Sequence, residues 1–218
     1  MQGKITEKDG SKGISKASIA RLPLYLHFLQ EHAKGAEYVS STQLAQSVSV
    51  SSVLARKDLE YVSSEGGKPR LGFSVSRLIL DIEKFLGYHN HSDVIVVGAG
   101  GLGRTFMGYE GFKHNGLNIV AAFDVDERLV GTSVAGKPIY PMSKLREFVK
   151  ANGVKIGIVT VPKQAAQEAV NALAEAGIQA IWNFAPATVR VPDGIEIKTE
   201  DLAASLAILA GKLYHAER

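Results

Sequence analysis

Residues 94–104 read VIVVGAGGLGR, an apolar run that breaks into glycines and then turns polar. Four consecutive β-branched residues ahead of a glycine fit a strand buried on both faces. We read Asp93 to Val97 as that strand and Leu102 to Gly111 as the helix that follows. Between them Gly98, Gly100 and Gly103 set out G-x-G-x-x-G. The first glycine allows the tight turn, the second lets backbone approach a pyrophosphate, and the third lets helix and strand pack closely. Ala99, Gly101 and Leu102 complete the loop, and the helix start offers free N–H groups and the positive end of its dipole.

A second strand, LNIVAAFDVD, carries Asp124 at its tip, 21 residues after Gly103. A carboxylate there can accept both ribose hydroxyls of an adenosine and would repel a 2′-phosphate, which favours NAD over NADP. Arg104 and Arg128 work against that preference. The α/β rhythm continues with strand-like Lys155 to Val161, helical Lys163 to Ala176 closed by Gly177, and strand-like Ile178 to Asn183. Such alternation predicts a doubly wound, mostly parallel sheet with its ligand beyond the carboxyl ends of the strands. TVP at 160–162, with Val161 and Pro162, and NFAP at 183–186, with Asn183 and Phe184, fall near the nicotinamide end.

Chemistry is harder to find than binding. Tyr140 and Lys144 have the Y-x-x-x-K spacing of short-chain dehydrogenases, but Pro141 disfavours a helix at Tyr140, and the helix is expected to start with Ser143 as N-cap. The histidines, including His89 and His91 in the linker, form no pair with an acid at helical spacing, and no metal is expected. No nucleophile motif is visible, and about 95 residues follow Asp124, little for a substrate domain. This half reads as a module that binds a dinucleotide without transforming it. A CoA- or nucleotide-binding structural module, or an NAD-dependent oxidoreductase with an N-terminal dimerisation domain, are the alternatives.

The glycine loop sits mid-chain, so something else occupies the residues before it. Residues 1–88 hold 12 Lys and Arg against 9 Asp and Glu, while residues 89–218 hold 13 of each, so the net charge of +3 lies wholly in the first part. That asymmetry permits a polyanionic partner. Ile19 to Ala33 has an apolar face at Ile19, Leu22, Leu26 and Leu29. SSTQLAQSVSVSSVLARKDLEYV offers two short helices, the first with a capping box from Ser40 and Gln43, the second starting near Ser51 with Leu54, Leu59 and Val62 inward. This is the pattern of a helix-turn-helix. Ser51 and Ser52 can donate to phosphates, and Arg56 and Lys57 can reach a guanine edge or the backbone. GGKPRLGF at 66–73 reads as a wing hairpin with Lys68 and Arg70 at its tip, and Val75 to Leu86 as a helix into the linker.

The expected architecture is thus an α+β winged-helix domain over 1–88, with a flexible tail over about 1–14, followed by a Rossmann-type α/β domain over 89–218. The charged start MQGKITEKDGSKG shows no signal peptide, no stretch is long enough to span a membrane, and cysteine is absent, so the cytoplasm is the expected compartment.

Taken together, these features resemble the Rex family of redox-sensing transcriptional repressors. The resemblance rests on RLPLYL (21–26), ARKDL (55–59), GKPRLGF (67–73), VGAGGLGR, YEGF (109–112), AAFDVD (121–126), VPKQAAQE and NFAP. It implies a homodimer that binds operator DNA in the apo or NAD⁺-bound form and is released by NADH. It implies cofactor roles for Gly98 to Gly103, Asp124, Tyr109, Pro162 and Phe184, and recognition-helix roles for Arg56 and Lys57. It further implies a C-terminal dimerisation helix that crosses to the partner, here about 201–214, and a switch in which Asp201 and Tyr109 change partners. Many family members have an arginine at the position of His27, which would partner that pair; a histidine is cationic only in acid. EYVSSEGGKP is one residue longer than the usual run, and Leu202 stands where an aromatic is sometimes found.

Overall fold

The structure is a computed structural model that describes residues 14–33 and 35–216; apart from Ile14, the tail expected over 1–14 lies outside the described residues. The chain divides into two compact units, Met1–His89 and Asn90–Arg218.

The first unit contains α1 (Lys16–His32), β1 (Tyr38–Val39), α2 (Ser41–Ser47), α3 (Ser52–Val62), β2 (Phe73–Ser74) and α4 (Val75–Leu86). Ser15 caps α1 by accepting from the Ser18 amide, and Ser40 and Gln43 close a capping box on α2. β1 and β2 pair antiparallel, and Leu22, Tyr25, Leu29, Leu44, Leu59, Leu78 and Ile82 fill the core between the helices.

Two helix faces differ from the sequence expectation. The buried stripe of α1 is Ser18, Leu22, Tyr25, Leu26 and Leu29, and Ile19 is 38% exposed. On α3 Ala55, Asp58 and Leu59 are buried and Val62 packs against the core, whereas Leu54 is 37% exposed. An ion pair joins the two helices. The Arg21 guanidinium donates to the Asp58 carboxylate through Nε at 2.6 Å and Nη2 at 2.9 Å, and the Tyr25 hydroxyl adds a third bond at 3.1 Å. A carboxylate can enter a core only when its charge and lone pairs are met there.

Burial pushes the Tyr25 phenol up to about 12, with the Asp58 hydrogen bond second. Burial also works against the Asp58 charge, but bonds from Arg21, Ser18 and Tyr25 outweigh it and hold the carboxyl below its ordinary value. A carboxyl depressed by folding contributes stability above its unfolded value of about 4, lost as pH falls through the folded value. Removing one partner of such a pair leaves a buried charge, so Arg21→Met is expected to cost about 3 kcal/mol in urea unfolding at pH 7. The deficit should shrink as pH falls below about 4, where the unfolded chain takes up a proton that the folded wild-type carboxylate still refuses, and be smallest below the folded value. Equal midpoints at pH 7 would contradict this account.

The second unit contains β3 (Ser92–Val97), α5 (Gly101–Gly108), α6 (Gly111–His114), β4 (Leu117–Asp124), β5 (Ser133–Val134), β6 (Lys137–Pro141), α7 (Leu145–Asn152), β7 (Ile156–Val159), α8 (Ala166–Ala176), β8 (Ala180–Asn183), β9 (Glu196–Thr199) and α9 (Leu202–Ala216). The sheet order is β5-β6-β4-β3-β7-β8-β9, parallel except for the antiparallel edge strand β5. The chain winds outward from β3 through β4 to β6, then crosses to β7, β8 and β9 on the other side. The strand order therefore reverses at β3, whose carboxyl end opens at Gly98, and this is where doubly wound sheets bind ligands.

Local departures have local causes. The helix expected over 102–111 breaks in two: Tyr109 takes an extended conformation, and the Lys137 ammonium donates to the Met107 carbonyl at the end of α5. Ser143 is not an N-cap; it lies in a 3-10 turn over Met142–Lys144 that leads into α7. A similar turn, Lys163–Ala165, precedes α8, which ends on Gly177 at φ +99°. Strands β5, β6 and β9 have no counterpart in the sequence reading. Among the described residues no helix is long and apolar enough to cross a membrane.

Candidate functional site

The glycine loop is tightly fitted on one side and open on the other. Gly98 has φ +97°, and a Cβ there would lie 2.9 Å from Val161 Cγ1. A Cβ on Gly103 would lie 1.9 Å from the Gly98 carbonyl oxygen. Gly100 and Gly101 differ: neither has a positive φ, and a Cβ at either would meet nothing within 4 Å. Nothing in the protein's own packing forbids side chains there, so their absence leaves room for something else. Geometry leaves the first N–H groups of α5, from Gly101, Leu102 and Gly103, without intrahelical partners; Arg104 is the first to find one, at the Gly100 carbonyl. Open space facing free N–H groups at a helix start is an anion cradle.

Asp124 closes one side of that cradle. Its Oδ2 accepts from the Ala99 amide at 2.5 Å and its Oδ1 from the Asp126 amide at 2.9 Å. The carboxylate is thus fixed at the end of β4 with lone pairs left for hydroxyl donors. Arg128 donates from Nε and Nη2 to Asp126 at 2.7–3.2 Å, and this bonding pushes the Asp126 carboxyl down to about 2. Both groups are solvent-facing, so the pair adds little stability, but it engages one of the two cations that could have welcomed a 2′-phosphate.

Beyond β7 and β8, Val161 is half-buried and Pro162 exposed. Asn183 is fully buried: its Oδ1 accepts from the Ala185 amide at 3.0 Å, and its Nδ2 points at the Ala185 and Ala187 carbonyls and Thr199. Its visible work is to hold the NFAP turn. Phe184 stands in an aromatic wall with Phe106 (4.8 Å between centroids) and Trp182 (4.5 Å), and Phe112 links the wall to Tyr109 at 5.0 Å. Tyr109 is 57% exposed, its ring lying over Gly111, where a Cβ would come within 2.5 Å of it. Sequence reasoning missed Phe106, Trp182 and Lys137, which anchors the α5 terminus beneath Tyr109; separated in the chain, they carry no local signal.

In the first unit, the exposed face of α3 presents Ser52, Val53, Arg56, Lys57 and Glu60 at helical spacing. Ser51 caps the helix through its oxygen, accepting from Leu54 at 3.2 Å, which leaves its O–H free to donate. Arg56 approaches Glu60 at 3.5 Å, a solvent-exposed pair that leaves the guanidinium available. The wing is a single tight turn rather than a two-stranded hairpin: Lys68 and Gly72 exchange backbone bonds at 2.8 and 2.9 Å, enclosing residues 69–71. Arg70 sits at the tip with φ +64°, a conformation costly for a non-glycine residue. Lys68 is at the base, its ammonium donating to the Tyr38 hydroxyl at 2.9 Å. A network of Ser64, Arg77 and Asp81 ties the approach to this turn onto α4.

His27 is exposed on α1. Asp201 caps α9, its Oδ1 accepting from the Ala204 amide at 2.8 Å. Tyr140 lies in β6 with the Lys144 ammonium over its ring at 5.8 Å, a surface cation–π contact. Among the described residues no group of three or more His, Asp and Glu is placed to hold a metal ion.

Comparison with known proteins agrees with both halves. Residues 89–187 match the family described as "CoA binding domain", and residues 13–65 the family described as "Putative DNA-binding protein N-terminus". The redox-sensing transcriptional repressor Rex of Treponema denticola is 43% identical over 193 residues, covering 88% of this chain and 91% of that protein. Its namesake in Bacteroides fragilis is 38% identical over 214 residues, covering 98% and 96%. Among solved structures, that of RSP with β-NAD⁺ and operator DNA matches with a TM-score of 0.86 and 32% identity over 95% of both chains. That of RSP with β-NADH matches with a TM-score of 0.84 and 32% identity over 95% of this chain and 97% of the other.

Proposed function

The chain belongs to the Rex family of redox-sensing transcriptional repressors, and we propose that it acts in the cytoplasm as a homodimer that holds operator DNA when its dinucleotide site is empty or carries NAD⁺ and releases it when NADH binds. It is a regulator, not an enzyme; its relatives are named as repressors. One observation carries the reading most directly: a single chain joins an exposed cationic recognition helix to a glycine loop whose two open glycines face a fixed ribose-side carboxylate. Solved relatives carrying NAD⁺ with operator DNA, and NADH, support the pairing of these two sites.

The residues support one placement of the cofactor. The α5 start and Gly100 to Gly103 take the pyrophosphate, Asp124 the adenosine ribose, and the wall of Tyr109 and Phe184 with Val161 and Pro162 the nicotinamide end. NADH lacks the positive ring charge of NAD⁺, so an apolar, aromatic end distinguishes the two by desolvation. Taking a 1:99 conformational equilibrium to 99:1 needs about 5.5 kcal/mol of differential binding, summed here over two sites. Helix α9 supports the dimer: Leu202, Leu206, Ile208, Leu209 and Leu213 are each at least 59% exposed, an apolar surface that calls for a partner. Half-sites must lie about 34–36 Å apart, or a multiple, so a modest rotation of one protomer breaks register.

Titrating NAD⁺ and NADH separately against the protein on a palindromic operator tests the reading. Release by NADH alone is expected. Equal retention with both, at concentrations where calorimetry shows each bound, contradicts it; tight CoA binding without NADH binding would favour the structural-module reading. Asp124→Ala is expected to narrow the preference for NADH over NADPH, and an unchanged ratio would take the acid off the ribose.

A further inference from the structure

We propose that Thr160 is a positioning residue of the dinucleotide site, locking, jointly with Asp124, the Gly98–Ala99 peptide of the glycine loop. The proposal rests on the reading of this loop as the dinucleotide site and assigns a role to a residue that does not face the cradle.

The peptide is Gly98–Ala99. Its carbonyl accepts from Thr160 Oγ1 at 2.6 Å, and its N–H donates to Asp124 Oδ2 at 2.5 Å. A peptide unit turns as a rigid plane, so fixing its oxygen and its hydrogen from two different strand ends fixes it completely. The lock is needed here because Gly98, with φ +97°, is the loop's most permissive backbone position. Flipping that plane would break both bonds, move the carbonyl out from between Thr160 and Gly103, and reorient the entry to α5. A carbonyl dipole turned toward the cradle would oppose a pyrophosphate.

Three observations make Thr160 the committed half of the lock. Its hydroxyl, the Gly98 carbonyl and Gly103 are packed together: a Cβ on Gly103 would lie 2.9 Å from Thr160 Oγ1 and 1.9 Å from the carbonyl. Asp124 must share its carboxylate with an incoming ribose, whereas the other contact of the Thr160 hydroxyl is to backbone at the end of β3, the Val97 carbonyl at 3.2 Å. And the Thr160 backbone is anchored separately, its amide donating to the Val97 carbonyl at 2.9 Å, so removing the hydroxyl leaves the β3–β7 junction in place.

The test uses the full-length protein and three variants, Thr160→Val, Thr160→Ser and Thr160→Ala, with NADH binding followed by calorimetry and by energy transfer from Trp182, the only tryptophan. Losing the hydroxyl that donates to the Gly98 carbonyl at 2.6 Å and lies 3.2 Å from the Val97 carbonyl should weaken NADH and NAD⁺ alike by about tenfold in Thr160→Val and Thr160→Ala. Thr160→Ser should restore binding, and operator affinity without cofactor should stay at the wild-type level in all three. Wild-type NADH affinity in the folded valine or alanine variant overturns the proposal, as does a serine variant as weak as valine. Failure of the wild type itself to bind NADH would instead bring down the dinucleotide reading on which the proposal stands.

Discussion

Gly100→Val is expected to abolish the response to NADH while leaving the protein folded, and Gly103→Ala to do the reverse damage, destabilising the Rossmann unit itself. The two glycines belong to the same motif, but the structure gives them different reasons. At Gly100 a side chain would project into empty space beside the α5 N–H groups, at a backbone conformation open to any residue. Valine there fills the volume a pyrophosphate needs, and a loss of at least about 100-fold in NADH affinity, near 2.7 kcal/mol, is expected. The cost in stability should stay within about 1 kcal/mol, the difference between glycine and valine at an N-cap. At Gly103 an added Cβ would lie 1.9 Å from a backbone oxygen that is itself held by Thr160. Overpacking of this kind costs about 1–3 kcal/mol or more, so the thermal midpoint should fall whether or not cofactor is present. Calorimetry and thermal unfolding of both variants separate the effects. If Gly100→Val bound NADH normally, the open side of the loop would not be the phosphate cradle.

The second large effect concerns DNA. Arg56→Ala with Lys57→Ala should weaken operator binding by roughly 100-fold, since a base-edge arginine contributes about 1–3 kcal/mol and a phosphate-bound lysine adds to a salt-dependent term. Both side chains leave the same exposed face of α3, flanked by Ser52 and Val53, and nothing buried depends on them. NADH affinity and stability should therefore be unchanged, and the slope of log affinity against log salt should become shallower by about one for each phosphate no longer neutralised. Anisotropy titrations at several salt concentrations would reveal this. Unaltered affinity and slope would mean that α3 does not enter the groove.

What the sequence disclosed and what it withheld divide along the range of the interactions. The glycine loop, the capping box of Ser40 and Gln43, the carboxylate at the tip of β4 and the amphipathic α4 are written in neighbouring residues, and all appear where periodicity and spacing put them. Hydrophobic periodicity finds Leu22, Leu26, Leu29, Leu59 and Val62 but also turns Ile19 and Leu54 inward, and no local pattern announces the buried charge pair between Arg21 and Asp58. The end of α5 depends on Lys137, 30 residues away, and the loop lock on Thr160, 62 residues from Gly98. The short edge strands β5 and β9 carry too little pattern to stand out; β9 is polar and largely exposed. The place of NFAP at a strand end points Asn183 toward the cofactor, yet its amide is spent inside its own turn.

The central claim is that oxidised and reduced nicotinamide favour different arrangements of the two protomers, and a distance measured between their DNA-binding units tests it without intermediaries. The chain has no cysteine, so Lys84→Cys, on the exposed face of α4, gives one spin label per protomer and a single inter-label distance in a dimer. The account predicts one distance distribution shared by the apo and NAD⁺-bound protein and a displaced one with NADH. Identical distributions under saturating NAD⁺ and NADH, in protein that still releases its operator to NADH, would contradict it.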